Sequence, residues 1–575
     1  VAPSPELIPA ILDHVLARLV EDENHVEPIL TSPDMKASST TTNAALTLWS
    51  FSALLAGPQA LPLIAPFVGK HISTSNPWHL RRAAMVALGI LANYEEAETI
   101  VKSSLNLVLD CRSASQLALM DMAATCVTRI IEHHSQLIDA DTLNKIVEWM
   151  DLLDPSNAGH FTIIAFLLDS LTLYMSFIDE DNDLTDNFAE CRDRLLRIFV
   201  RLTGSNSGPK TSQTWTSIFE CISSFIELGG LDDDEEHHAT IETICTQLTE
   251  RLDDTFPTPS KVAASLQGVF NEAIASNCIS HESAQRLMTT ALSRLNRSNC
   301  YEELQEGVLV LNAGVGMLQN DFAQYIPQVC DFVLRILRAV GTFSIEEVDS
   351  YDPSEGYNPE EDDDELEDGA TCAPDFVLQS TSKSASGTSP SSISDASSTS
   401  SASSKDSSKV VRSSSIGKGM AGSPLFRTSL PPADVNALVA YVSGENGTTT
   451  GAHTTGPRQA RHRSIAARLI AKGLVIEDCL RLIEYLMDSL PEQMKPFATS
   501  LRTEMLQLVL RVPSKFVLIQ ASLTASLAAI ARNDEESARL LILPLLRLID
   551  QISKLIDTPE KHSIYNTLIS SFQSI

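Results

Sequence analysis

The sequence predicts an all-α solenoid, a superhelical stack of helix pairs interrupted once by a long, disordered acidic and then serine-rich insertion. Three observations carry that prediction. Apolar residues recur at helical spacing, as at Leu61, Ile64, Ala65 and Val68, and again at Leu80, Ala83, Ala84, Ala87, Leu88 and Leu91. Starts of second helices fall near His79, Ser115, Ala158, Thr211, Ser260 and Glu302, 36 to 53 residues apart, around the ~40–47 of HEAT and armadillo repeats. No strand-rich or glycine-rich segment suggests a globular domain beside them. One pair cannot bury its own apolar face, so pairs must stack, which gives extended surfaces rather than an enclosed pocket.

In chain order, Ser4 to Glu23 is an amphipathic helix (Ile8, Ile11, Leu12, Val15, Leu16, Leu19), Ser32 to Thr42 a polar joint, and Asn43 to Leu55 a helix carrying Trp49 and Phe51. From Leu61 the pairs run on. In Asn76-Pro77-Trp78-His79, Asn76 is placed to cap, Pro77 suits a first helical turn, and Ala83-Ala84 let a neighbouring helix approach. Further helices are read over Asp141 to Leu153, His160 to Phe177, Asp186 to Leu202, Thr211 to Leu228 and Thr240 to Leu252. Lys261 to Asn277, Glu282 to Leu295, Glu302 to Leu318 and Asp321 to Val340 follow. Turn clusters such as Asp154-Pro155-Ser156-Asn157 punctuate them. Residues 1–340 form the first solenoid block.

At Gly341 the pattern stops. Glu346 to Asp368 holds no Lys or Arg, and Ser380 to Ser415 is almost a Ser/Thr polymer, so neither can collapse into a core. Residues 341–434 are read as a disordered insertion. A second block, 435–575, begins with a short apolar piece (Val435 to Val442) and a loose loop at 444–457. Helical periodicity resumes at about Ser464 and continues through Glu477 to Leu490, Met494 to Leu510, Phe516 to Ala531, Glu536 to Ile556 and Lys561 to Phe572.

Composition narrows the function. Lys plus Arg number 42 against 74 Asp plus Glu, a net charge of −32, which disfavours nucleic acid and anionic membrane and favours basic partners. Ten cysteines are scattered without a Cys-x-x-Cys, several at apolar helical positions (Cys126, Cys221, Cys245, Cys330), and read as buried thiols of a reducing compartment. No unbroken run of about 18 apolar residues is visible, nor a signal peptide.

Chemistry-bearing motifs are few. Asp179 to Glu190 places oxygens at calcium-loop positions, but Leu184 stands where the sharp turn needs glycine, so an acidic joint is the better reading. His133-His134 and His237-His238 lack zinc-ligand spacing and read as exposed histidines. Gly417 to Gly422 matches Gly-x-Gly-x-x-Gly by letter, yet follows a serine polymer instead of a strand. No catalytic residue, metal or cofactor is expected, and the chain is read as a binding protein and not an enzyme.

The candidate partner-binding residues are two acidic runs, Asp232, Asp233, Asp234, Glu235 and Glu236, and Glu360, Glu361, Asp362, Asp363, Asp364 and Glu365. Carboxylates along a solenoid surface can hold Lys/Arg-rich segments by charge-assisted hydrogen bonds; singly, such runs also serve only to keep an apolar stack in solution. Trp78, like Trp49, is either an aromatic platform for a partner's Lys or Arg stems or a partly buried repeat residue. One basic island, Arg458 to Ser464 with Arg468 and Lys472, reads as a basic helix start, or as an internal substitute for basic cargo lying against the acidic insertion. Ser415 and Ser464 follow arginines and fit basic-directed kinases.

The run from Ala44 (AALTLWSFSALLAG) through Leu61-Pro62-Leu63-Ile64-Ala65-Pro66-Phe67-Val68 to Asn76-Pro77-Trp78-His79-Leu80-Arg81-Arg82-Ala83-Ala84 resembles the central repeats of importin-β-type karyopherins. Ala263 to Val269 and Asn320 to Pro327 are similar to later repeats of that family. The resemblance covers about residues 40 to 340, with His79 where the family has arginine. It implies a monomeric carrier of cytoplasm, nucleus and nuclear pore, gripping basic cargo or an adaptor on its concave side and phenylalanine-glycine nucleoporins between outer helices. The Ran GTPase is a further implied partner, although its N-terminal site is absent if Val1 lies in mid-solenoid. The rival is another HEAT scaffold, associated with a phosphatase, a cullin or tubulin.

Overall fold

The computed structural model describes residues 7–20, 40–55, 57–178, 188, 191–204, 214–229, 235–252, 260–298, 300–339, 457–512 and 517–553. The amphipathic segments fold as α1 (Leu7–Arg18), α2 (Thr40–Leu55), α3 (Gly57–His71), α4 (Trp78–Leu91), α5 (Glu98–Leu109), α6 (Leu117–His134), α7 (Ala140–Leu152) and α8 (Ala158–Ser176). These continue as α9 (Arg192–Thr203), α10 (Trp215–Gly229), α11 (Glu235–Leu252), α12 (Ser260–Ala275), α13 (His281–Leu295), α14 (Tyr301–Leu318) and α15 (Ile326–Ala339). After residue 456 come α16 (Pro457–Ser489), α17 (Pro491–Arg511), α18 (Val517–Asn533) and α19 (Glu535–Ser553).

The helices lie in two layers. Second members of successive pairs stack in an unbroken series, α2 on α4, then α6, α8, α10, α12, α14, α16 and α18. First members form the other layer, where contact is thinner; between α5 and α7 it includes the bond from Lys145 Nζ to Asn106 Oδ1 at 3.1 Å. In a curved stack the layer whose members sit closer together is the inner one, so the even-numbered helices line the concave side. Small residues permit the closeness. Ala83, Ala84 and Ala87 are buried on α4, and a Cβ added to Gly307 on α14 would lie 2.6 Å from Gln267 Oε1 on α12.

Burial follows the periodicity. The apolar stripes form one continuous core from Leu12 to Leu545, with Trp149, Trp215, Tyr174, Phe199 and Phe270 among its largest buried side chains. Helix α8, long and apolar enough by length and composition to cross a membrane, spends that apolarity between α6 and α10; its Thr, Ser and Asp positions hid it from a search for an unbroken apolar run. All nine described cysteines are buried free thiols.

Several joints differ from the sequence expectation. Pro77, not Asn76, occupies the N-cap of α4; Asn76 instead donates from Nδ2 to Lys70 O at 3.0 Å, tying the joint back to α3. Asn157 does cap α8, accepting from the amides of Gly159 and His160. The histidine pairs are not simply exposed. Successive residues on a helix point about 100° apart, so His134 turns inward and is 1% exposed, while His237 Nε2 bonds Asp193 Oδ1 at 2.8 Å.

The acidic and serine-rich stretch lies outside the described residues, but its anchor points are clear. It joins α15 to α16, and these are the two halves of one pair: α15 packs on α13 and α17, α16 on α14 and α18. The interruption therefore sits inside a repeat. Across it, Arg338 Nε donates to Glu504 Oε2 at 2.8 Å and Cys330 Sγ lies 3.9 Å from Met494 Sδ.

Candidate partner-binding surface

Each inner helix buries most of its circumference and leaves one accessible line. On α10 that line is Thr216, Glu220, Ser224 and Glu227; on α14 it is Glu302, Gln305, Glu306, Leu309, Asn312 and Gly316. The spacing of three or four residues is that of one helix face, and the partners above and below are the neighbouring inner helices, so the lines run side by side. Adjacent registers are fixed by contacts: Thr128 and Ser170 hydroxyls meet at 2.7 Å between α6 and α8. Between α8 and α10, burial pushes the Cys221 thiol up to about 12 against a side-chain hydrogen bond with Thr172, and the carboxylates of Asp169 and Glu220 add to the rise.

From α6 to α14 charge is segregated between the layers, whereas the inner helix α4 carries Arg81 and Arg82 and no carboxylate. On α6, α8, α10, α12 and α14 the acidic residues are Asp121, Glu132, Asp169, Glu220, Glu227, Glu272, Glu302, Glu303 and Glu306, against only Arg129 and Lys261 as Lys or Arg. On the outer helices α5, α7, α9, α11, α13 and α15 acids and bases balance, with α9 alone carrying Arg192, Arg194, Arg197 and Arg201. Within these helices the excess acid lies in the inner layer, although Asp121 and Glu303 are buried, Glu303 against Arg294 of α13.

The C-terminal half of α16 adds four carboxylates, Glu477, Asp478, Glu484 and Asp488. Burial raises Asp478 to about 6, opposed by Arg481 and reinforced by Glu477, while Gln305 of α14 bonds the carboxylate. Glu477, whose Oε1 accepts from Arg481 Nη2 at 2.6 Å, and Glu484 are raised for the same first reason. On the accessible line of α16, Tyr485 stands 42% exposed beside Gly316. A side chain at 316 would crowd its hydroxyl, so the glycine keeps this aromatic open to the concave side.

The sequence-predicted residues fall differently. Trp78 begins α4, half-buried, with Arg82 Cζ 5.5 Å from its ring centroid and His79 edge-on; Trp49 has Arg129 Cζ at 5.2 Å. Both rings already carry a guanidinium of this chain. Glu235 and Glu236 open α11, with Glu236 exposed, and Ser464 lies within α16. Asp232, Asp233, Asp234, the run Glu360 to Glu365, Ser415 and most of the Asp179 to Glu190 loop lie outside the described residues. Sequence reading missed the single carboxylates of the inner helices, because it searched for runs. Their signal was present: Asp169, Glu220 and Glu272 each interrupt an otherwise apolar helix.

On the outer layer a groove of about 440 Å³ opens between α11 and α13, lined by Cys245, Thr249, Ser283, Arg286, Thr290 and Arg294 among others. Two of its threonine hydroxyls donate to carbonyls one turn back, Thr249 to Cys245 O and Thr290 to Arg286 O.

No protein-family model and no curated protein matches the sequence. Solved structures do. Kap121p bound to RanGTP superposes with a TM-score of 0.57 at 12% identity, over 98% of this chain and 45% of that one. Importin beta crystallised from ammonium sulfate gives 0.50 at 13%, over 99% of this chain and 58% of that one. The chain has an importin-β-type HEAT-repeat fold. Yeast importin-beta (Kap95p) is similar at 14% identity, TM-score 0.47, over 99% of this chain and 62% of its own. The chain thus spans about half to three-fifths of the length of these importin-β-type receptors.

Proposed function

We propose that this chain acts as a nuclear transport receptor, which binds basic proteins or a basic adaptor on its concave side and acts by binding alone. The observation that supports the reading is the charge segregation from α8 to α14: Asp169, Glu220, Glu227, Glu272, Glu302 and Glu306 are accessible on successive inner helices, while the outer helices beside them balance acid and base. A lysine- or arginine-rich segment laid along that side meets carboxylates from helix after helix, with fast, salt-sensitive association. The outer layer is left for phenylalanine-glycine nucleoporins, and shuttling through the nuclear pore between cytoplasm and nucleus follows. Ran in its GTP form is the expected release factor where its site is present.

The test is fluorescence anisotropy with a labelled Lys/Arg-rich localisation peptide, titrated at two salt concentrations, beside a pull-down on phenylalanine-glycine repeats with and without GTP-loaded Ran. The expected result is binding that weakens roughly tenfold or more between 50 and 300 mM salt and is lost in Glu220→Lys/Glu272→Lys. Absence of peptide binding at low salt, or binding indifferent to those substitutions, overturns the proposal.

A further inference from the structure

Helix α16 is out of proportion to its layer. It runs for 33 residues where its neighbour α14 has 18. Two contacts fix how they lie together: Gln305 bonds Asp478, and Gly316 sits beside Tyr485. In that register Tyr301, the first residue of α14, falls level with about residue 472. The first fourteen or so residues of α16 therefore run on past the N-terminal end of α14, a projection of about 21 Å at 1.5 Å per residue.

The sequence of that projection is as unusual as its length. From Pro457 to Ala471 it holds Arg458, Arg461, Arg463 and Arg468 and no carboxylate, and the first acidic residue of α16 is Glu477. In a chain of net charge −32, a helical segment that carries only positive charge is a ligand for an acidic surface. Nucleic acid would have to approach against the field of the whole molecule. The acidic surface the structure itself presents is the concave layer. A continuous helix that leaves the stack along its own axis cannot bend back onto the inner faces of α8 to α14 without breaking, so the concave layer within its reach is that of another molecule.

We infer that the projecting half of α16 is a docking helix for the acidic inner layer of a second copy of this chain. This rests on the reading of that layer as the receptor surface for basic segments, and it replaces the monomer expected from sequence with a salt-sensitive self-association that basic cargo competes away. The receptor would then hold its own basic helix when cargo is scarce.

Sedimentation velocity of the full chain over a concentration series tests it, at 50 and 500 mM salt. Three variants accompany it: Arg458→Glu/Arg461→Glu/Arg463→Glu/Arg468→Glu on the projection, Glu220→Lys/Glu272→Lys on the inner layer, and Glu282→Lys as an exposed outer-layer control. The expected result is a dimer at low salt, weakened tenfold or more by either of the first two variants, unchanged in the control, and dissolved by excess localisation peptide. A monomer at every concentration overturns the inference, and so does a dimer that survives either variant. Circular dichroism checks that each variant keeps its helix content. Peptide binding is read separately by anisotropy, so a chain that dimerises yet ignores the peptide overturns the cargo reading alone, and one that binds peptide yet stays monomeric overturns the dimer alone.

Discussion

Arg201 on α9 donates from Nη2 to the main-chain oxygen of Met150, 2.7 Å away, and from Nη1 to that of Asp151 at 3.0 Å. It thus closes the C-terminal end of the preceding outer helix, α7, where carbonyls lack intrahelical partners and the helix dipole is negative. Related contacts follow along the outer layer. Arg251 Nη2 donates to Gly204 O at 3.3 Å, just past α9, with its guanidinium 3.9 Å from the Trp215 ring centroid. Arg335 Nη2 reaches Asn296 Oδ1, at the end of α13, at 2.8 Å. The outer layer, where helices touch least, is stitched by arginines that cap the helix before them.

Arg201→Ala removes one stitch. Because the side chain is partly exposed, the expected cost is about 1 kcal/mol, concentrated at the end of α7. Hydrogen exchange at residues 148–153 is expected to speed up roughly fivefold, with amides of α14 unaffected, since each solenoid repeat depends on its neighbours alone. A uniform loss of protection along the chain would show that the contact acts globally instead.

The repeat that straddles the insertion carries its own charge lock. Burial of Glu504 opposes its charge, but the bonds from Arg338 and Arg511, each 2.8 Å, together outweigh it and hold the carboxyl below its ordinary value. A depressed carboxylate stabilises the fold above its unfolded pKa of about 4.3, and that contribution is lost as pH falls through the lower, folded value. The difference in urea midpoint between the wild type and Glu504→Gln is therefore expected to be constant from pH 7 to 5 and to shrink toward pH 3. A difference that grows on acidification contradicts the lock.

Glycines distinguish close approach from simple helix propensity. Gly69 in α3 has nothing within 4 Å of an added Cβ, so Gly69→Ala is expected to stabilise by about 0.5–1 kcal/mol. At Gly314 the same change meets Met288 Sδ at 2.3 Å, and at Gly307 it meets Leu295 Cδ2 at 2.4 Å. There overpacking of about 1–3 kcal/mol outweighs the propensity gain, and both variants are expected to lose stability in thermal denaturation. Stabilisation at Gly314 would mean that α13 and α14 are free to separate.

Much of this architecture was legible in the sequence, and its limits have physical reasons. The 3.6-residue apolar period placed α4, α6, α8 and α12 within two residues of their observed starts, because burial of a stripe is a local signal. Which layer is concave is not local: it depends on how closely successive pairs approach, which small residues such as Gly307 settle jointly with their neighbours. The insertion read as a boundary between two blocks because composition changes there, yet α15 and α16 are partners, and partnership across residues 340–456 leaves no trace in periodicity. Acidic runs drew attention to Asp232 and Glu360, whereas the ordered carboxylates of the inner layer are isolated residues whose alignment exists only once the helices stack.

The thiols give a probe of that stacking. Burial pushes Cys221, Cys245 and Cys330 up to about 12 and Cys111 to about 11, and raises Cys126 and Cys479 further still. Thiolate, the reactive form, is therefore scarce at neutral pH as well as shielded. Of ten cysteines in the chain, nine are described and all nine are buried, so a disulfide reagent at pH 7.5 is expected to modify at most one thiol per chain before unfolding. On mild urea the first of the nine to react is expected to be Cys111, whose sulfur accepts from Arg81 Nη2 at 2.8 Å and so has a cation at hand when water enters. Mass spectrometry of partially labelled protein reads the order directly. Cys126 or Cys479 labelled ahead of Cys111 would mean that the inner layer opens before the joint between α5 and α6, the reverse of a stack held together from its concave side.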